Sequence, residues 1–292
     1  MSTPNSPRSS RRQFLQTTAA GAGAAWTLSQ VPFVHAQGND TIRIGLIGCG
    51  GRGTGAAAQA LRADRGVRLV AMADAFADRL GSSLNSLTND AALRERIDVP
   101  RERQFVGFDA AERLIDSDVQ VVLSCTPPHF RPAHIRATVA ARKHILAEKP
   151  CAVDGPGVRT GLQAAAEARE RRLAIVAGFC WRYHEGQRQT VQRVRDAAVG
   201  DIVALQCTYN TGPLWSHRRQ PNWSDMEFQL RNWLYYTWLS GDFNTEQHCH
   251  SLDKMGWVMG NTYPVRCYGV GGRQVRTAPE FGHIYDHMAV TY

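Results

Sequence analysis

Glu148-Lys149-Pro150 closes an apolar run with a lysine set between an acid and a proline. A residue before proline is biased toward extended backbone, so the Lys149 ammonium is expected to leave a strand end rather than lie along a helix. A fixed ammonium can hold a substrate oxygen and stabilise negative charge developing on it. Further along, Glu246, His250 and Asp253 follow at helical spacing. If residues 244–259 form one helix, Glu246 and His250 share a face and Asp253 lies one turn on. An imidazole titrates near pH 6.5, which suits it to take a hydroxyl proton as a general base. Glu246 would then orient His250 or bind a neighbouring hydroxyl. His248 and His250 are two apart and point in different directions on a helix, so no zinc face is expected and no metal enters the reading.

Such groups need a scaffold that brings a hydride carrier to them. Residues 41–47 read as a buried strand, Gly48-Cys49-Gly50-Gly51-Arg52-Gly53 follows at once, and residues 54–63 form an alanine-rich helical stretch. Strand, G-x-G-x-x-G and helix is the context of a dinucleotide fingerprint. Gly48 permits the tight turn, Gly50 lets backbone approach a diphosphate, and Gly53 lets the helix pack close to the strand. The helix start at Gly51 and Arg52 offers N–H groups and a positive dipole end. Asp74 ends a second apolar strand, 67–73. Its carboxylate can accept both ribose hydroxyls of NAD and would repel the 2′-phosphate of NADP. Arg79 nearby keeps NADP open, and Asp74 could instead cap a helix beginning near Phe76. Strands at 104–106, 119–124 and 144–147 alternate with helices at 109–115 and 130–141, which argues a doubly wound parallel sheet, class α/β. After residue 124, Cys125-Thr126-Pro127-Pro128-His129 turns sharply and carries Thr126 and Pro127 over the nicotinamide side. His129 there reaches either ligand or solvent.

The bulk numbers bound the class. A chain of 292 residues can hold two domains. The formal charge is +8, and Arg8, Arg11 and Arg12 supply three of those charges near the amino terminus. No basic cluster interleaved with aromatics marks a nucleic-acid face. The seven cysteines are scattered without a C-x-x-C, so neither a disulfide framework nor a cysteine-rich zinc site is signalled. Ser10-Arg11-Arg12-Gln13-Phe14-Leu15, a mild apolar run from Ala19 to Leu28, and Val34-His35-Ala36 resemble a twin-arginine signal with its cleavage site. The apolar run is too short to span a bilayer stably. The expected organisation is a signal over 1–36, a nucleotide-binding domain over 40–153 and a substrate domain over 154–292. Residues 155–171 read as a crossover helix and 173–177 as a strand, followed by a helix over 184–199 and a strand over 202–209.

Together, Gly48-x-Gly50-x-x-Gly53, Asp74, Thr126-Pro127-Pro128 and Lys143 to Pro150 resemble the amino-terminal half of Gfo/Idh/MocA oxidoreductases, in their exported branch. The resemblance implies a Rossmann domain followed by an α/β domain with a large, mostly antiparallel sheet, and a site between them. It implies NAD, with NADP possible, acting on a sugar, cyclitol or related polyol. Lys149 would contact substrate and cofactor, with Glu148 beside the cofactor. The family's G-G-x-x-x-D-x-x-x-H-x-x-D pattern falls on residues 241–253, preceded by Ser240 where glycine is usual, with Asp242 at the second glycine position and Glu246 for aspartate; His250 is kept. Trp181, Arg182 and Tyr183 would border the substrate with Asp253, and Arg231 and Trp233 would approach the pocket. Trp215, Trp223, Trp233 and Trp238 suit either sugar stacking or plain packing. The chain stops at Met288 to Tyr292 inside an alternating pattern, so a truncated second sheet with an exposed edge is expected. Expected partners are a carbohydrate-like small molecule, the twin-arginine export machinery and a second copy of the chain in a homo-oligomer, with the mature protein in the periplasm. Two alternatives stand beside the dehydrogenase: a glycoside hydrolase that recycles its cofactor internally, and a non-catalytic binder on the same fold.

Overall fold

Residues 41–212 and 214–292 are described by the computed structural model, so the signal expected over residues 1–36 lies outside the described residues. Six strands form one parallel sheet: β1 (Ile42–Ile47), β2 (Val67–Asp74), β3 (Gln104–Val106), β4 (Val121–Ser124), β5 (His144–Ala147) and β6 (Ile175–Ala177). Their spatial order is β3-β2-β1-β4-β5-β6. Five helices connect them: α1 (Gly51–Ala63), α2 (Ala77–Asn89), α3 (Ala110–Asp116), α4 (Arg131–Ala140) and α5 (Gly155–Glu170).

The strands are apolar on both faces because both faces are covered. Leu46, Leu69, Met72 and Leu123 pack under Ala57 and Leu61 of α1 and Leu80 and Leu87 of α2. On the other face, Ile47, Val70, Val122 and Ile145 pack against α3, α4 and α5 through Leu114, Ile115, Ile135, Val139, Ala164 and Ala168. The chain winds outward from β1 in one direction and from β4 in the other. The crevice between their carboxyl ends is therefore the switch point where ligands of such sheets bind.

The sheet runs past the domain boundary expected at residue 153. β6 pairs in parallel with β5, Ile145 opposite Ile175 and Ala147 opposite Ala177, so the crossover helix α5 belongs to the first domain. Without β6, the backbone of β5 would be an open edge.

The second part contains α6 (Glu185–Arg195), α7 (Asp225–Arg231), α8 (Thr237–Ser240), α9 (Asp242–Glu246), α10 (Cys249–Val258), and an antiparallel pair, β7 (Tyr268–Gly272) with β8 (His287–Thr291). The expected large antiparallel sheet is thus two strands among the described residues. The strand expected at 202–209 does not form: no neighbouring strand offers it ladder partners, and Val203 is 94% exposed. Instead the apolar weight lies around Phe228, Leu230, Leu234, Tyr235, Leu239 and Ile284, where Phe76 and Phe130 of the first domain join the cluster. That shared core fixes the second part against the switch point.

Candidate active site

A cleft of about 560 Å³ opens at the switch point, lined by Gly48, Gly50, Gly51, Arg52, Gly53, Asp74, Thr126 and Pro127 from the first domain and by Trp215, His217, Leu230, Arg231 and Trp233 from the second. Gly48 turns the chain at φ 89°, and a Cβ there would stand 2.7 Å from the carbonyl carbon of Cys125. Gly53 is held tighter still, since its Cβ would stand 1.8 Å from the Gly48 oxygen. Nothing lies within 4 Å of a Cβ on Gly50 or Gly51, so the backbone there faces open space. The first-turn N–H groups of α1 have no acceptor within the helix. Open glycines, outward N–H groups and this volume fit a dinucleotide whose diphosphate sits at the α1 start.

Asp74 also lines the cleft, but its carboxylate already accepts the Cys49 N–H at 2.7 Å and the Phe76 N–H at 2.9 Å. It stands two residues before the α2 cap position rather than on it, so the side chain ties the two turns together instead of capping the helix. Burial raises its carboxyl above the usual range, and the two amides oppose that rise. Each oxygen keeps capacity for a further donor.

Lys149 leaves the end of β5 as the sequence implies. Its ammonium donates to the Glu246 carboxylate Oε1 and to the Glu246 carbonyl oxygen, both at 2.7 Å. The second contact exists because the expected helix over 244–259 is broken. The His248 N–H reaches back five residues to the Phe243 oxygen, and the His250 N–H then bonds the Gln247 oxygen three residues back. A continuous helix would have spent the Glu246 carbonyl on the His250 amide; the break releases it to Lys149. Glu246 and His250 consequently do not share a helix face, and the carboxylate serves the lysine rather than orienting the histidine. An ammonium has three donors, and two are used here.

His250 stacks on Trp181, centroids 5.8 Å apart with planes 19° from parallel, and Phe179 meets its edge at 6.2 Å. Lys254 places its ammonium 3.5 Å from the Trp181 ring centroid. The Nδ1 of His250 is buried without a partner, as is Oε2 of Glu246, and neither His250 nor Lys149 is among the residues lining the cleft. Burial, and after it the Lys149 ammonium, hold the His250 imidazole below its ordinary pKa. The ring is therefore neutral and able to accept a proton.

The other expected site residues divide. Glu148 is buried and grips Arg52, whose Nε lies 2.6 Å from its Oε1; it fixes the start of α1 and does not line the cleft. His129 turns away onto Phe130 and Trp238, because those rings offer it an apolar corner. Arg182 is spent on Asp253, with Nε 2.9 Å from both carboxylate oxygens, so this pair pins the 180–183 turn to α10 instead of presenting either charge to ligand. Tyr183 is 68% exposed. Arg231 lines the cleft, yet its guanidinium forks onto Asp78 at 2.9 and 3.0 Å and packs over Phe76 and Trp223. Trp233 lines the cleft against Trp215.

Two residues escaped the sequence reading. Arg131 is buried and donates to the carbonyls of Thr126, Lys149 and Pro150, which binds the two loops flanking the switch point into one unit. His134 lines the cleft with Nδ1 3.3 Å from the Thr126 hydroxyl. A charged residue and a histidine on an otherwise ordinary helix carry no sequence signal; only the fold brings them under the prolines.

Residues 42–178 match the pattern of GFO_IDH_MocA, described as "Oxidoreductase family, NAD-binding Rossmann fold". Over these residues the chain matches that family's pattern, and its first domain has the NAD-binding Rossmann fold the pattern describes. Among characterised relatives, the chain is 25% identical over 256 residues to the inositol 2-dehydrogenase of Serratia proteamaculans, covering 86% of this chain and 64% of that protein. It is 29% identical over 245 residues to a glycosyl hydrolase family 109 protein of Solibacter usitatus, covering 78% and 53% respectively. The fold is similar to that of GenD2 from gentamicin A biosynthesis, solved with NAD (TM-score 0.60, 18% identity, 86% of this chain and 61% of that one). It is also similar to aldose-aldose oxidoreductase from Caulobacter crescentus, solved with glycerol (TM-score 0.59, 18% identity, 86% and 66%). The chain spans 48% to 64% of the length of the first curated relatives it matches.

Proposed function

We propose that this chain is a nicotinamide-dependent oxidoreductase acting on a carbinol carbon of a sugar, cyclitol or related polyol. The observation that carries the reading is Lys149: a lysine at the end of β5, beside the NAD-binding cleft, held by Glu246 with one donor left over. When bound, the nicotinamide supplies the hydride acceptor or donor. The remaining Lys149 N–H holds the substrate oxygen and stabilises charge developing there. His250 takes the hydroxyl proton at Nε2, in the neutral form that its surroundings favour. Trp181 keeps that ring in place, and the 215–233 segment covers the cleft and excludes water.

Similarity to a glycosyl hydrolase family 109 protein, together with this cover, favours a second reading in which the cofactor is recycled within each turnover. Incubation with NAD and a polyol panel separates the cases: a dehydrogenase accumulates NADH, whereas internal recycling gives product without it. Binding of sugars with neither outcome would leave only a binding protein and refute the enzyme. We also read residues 1–36 as a twin-arginine export signal and the working form as a periplasmic homo-oligomer. Secretion of the folded protein that is lost on Arg11→Lys/Arg12→Lys, and a multimeric mass in solution, are the corresponding tests.

A further inference from the structure

Cys207, His248 and Met255 bring a thiol, an imidazole and a thioether to one point on the second part of the molecule. The Cys207 Sγ lies 3.2 Å from Nε2 of His248 and 3.0 Å from Sδ of Met255. His248 stands at the start of α10 and Met255 seven residues later, two turns along the same face. Cys207 faces them from the 202–209 segment, which is tied to the helix and to the turn preceding it at one further point each. The Ser251 hydroxyl donates to the Thr208 carbonyl at 3.4 Å, and the Tyr209 hydroxyl donates to Gln247 Oε1 at 3.2 Å. All three side chains are half-buried, so the cluster is enclosed but reachable.

We propose that this trio is a binding site for a soft monovalent cation, copper(I). Thiolate and thioether sulfur favour soft ions, Cu(I) and zinc among them, and imidazole suits both copper and zinc. Among the described residues no three histidine, cysteine, aspartate or glutamate side chains cluster. A structural zinc ion takes four ligands drawn from those types, so zinc lacks its donors here, whereas a three-coordinate soft ion has all of its own. Without metal, the three atoms form a chain in which Nε2–H donates to Sγ and S–H donates to Sδ. On binding, the Cys207 thiol proton leaves to solvent and the His248 proton moves to Nδ1. A Cu–S bond replaces the S–H bond, the ion stays Cu(I), and no electron is transferred. At a metal–sulfur distance of about 2.3 Å, the value for zinc thiolates, two sulfur donors lie roughly 3.5 to 4 Å apart. The trio must therefore spread by under about 1 Å, a shift the flexible Met255 side chain can supply.

The site is independent of hydride transfer and is tested without it. Cys180 and Cys267 are exposed thiols, so the protein carries Cys180→Ser and Cys267→Ser as background. Anaerobic Cu(I) is then titrated against a colorimetric Cu(I) chelator. The expected result is one copper per chain withdrawn from the chelator. Loss of a group that merely supports a ligand costs 10- to 100-fold in affinity, so Cys207→Ser and Met255→Leu, which remove donors, should each weaken binding by at least about 100-fold. Met255→Leu conserves volume and keeps the fold, which a thermal melt checks. Absence of copper uptake by the background protein, uptake unchanged in either variant, or equal affinity for zinc(II) would each overturn the proposal.

Discussion

His134 makes the nucleotide cleft sensitive to acid, and the effect can be worked through. Its Nδ1 lies 3.3 Å from the Thr126 hydroxyl and 3.5 Å from the Ser124 hydroxyl, with the buried Arg131 cation nearby. Burial first, and the Arg131 guanidinium second, push the imidazole down to about 4. In the unfolded chain it titrates near 6.5. Between those two values the unfolded state binds a proton that the native state refuses, so unfolding becomes easier as pH falls from about 6.5 to about 4. Above 6.5 both states are neutral and the group contributes no pH dependence. At about 1.4 kcal/mol per unit, the full difference is about 3 kcal/mol. His134 lines the cleft and is only partly buried, which reduces the expected loss to about 2 kcal/mol. Urea unfolding at pH 7 and pH 4, wild type beside His134→Gln, measures it. The variant should lose less stability on acidification by that amount. Equal losses in the two proteins would show that His134 is not held neutral and that the cleft floor is wetter than described.

Three further outcomes follow from the same geometry. Burial, and then Lys149, lower His250, so the acid limb of kcat/KM should lie below pH 6.5; Trp181→Leu, which exposes the ring, should move that limb upward, and an unmoved limb would refute the positioning role. Gly53→Ala puts a methyl 1.8 Å from the Gly48 oxygen, so NAD should no longer raise the melting temperature even where the protein folds; retained stabilisation by NAD would contradict the cradle. Arg231→Ala breaks the fork onto Asp78 that joins α7 to α2. It should cost about 1.5 to 3 kcal/mol in urea unfolding, since hydrogen bonds to charged groups are worth about that much, and a loss below 0.5 kcal/mol would show the bridge to be idle.

The first domain was legible because its signals are local. Strand β1, the glycine turn and the alanine-rich α1 adjoin in sequence, and β2 to β5 appear as apolar runs whose ends agree with the structure to within two residues. Lys149 could be read from its proline and its strand. The partner of Lys149 could be named but not its geometry: helical spacing suggested Glu246 beside His250, whereas the break at Gln247 and His248 turned the Glu246 carbonyl toward the lysine. Arg182 with Asp253, and Arg52 with Glu148, are distant in sequence, so their pairing was invisible and each was read as ligand-facing. The 202–209 segment alternates like a strand, but a strand exists only with a neighbour, and sequence alone does not say whether one is present.

Single-turnover hydride transfer in Lys149→Met tests the central claim most directly. Wild type and variant, each loaded with NAD, are mixed with the best polyol from the panel, and reduced nicotinamide is followed by its absorbance. Loss of one positioned donor to a developing oxyanion costs about 100- to 1,000-fold, so the variant should be slower by at least that factor while NAD still protects it from unfolding. Transfer within threefold of wild type would mean that the ammonium at the end of β5 does not hold the reacting oxygen.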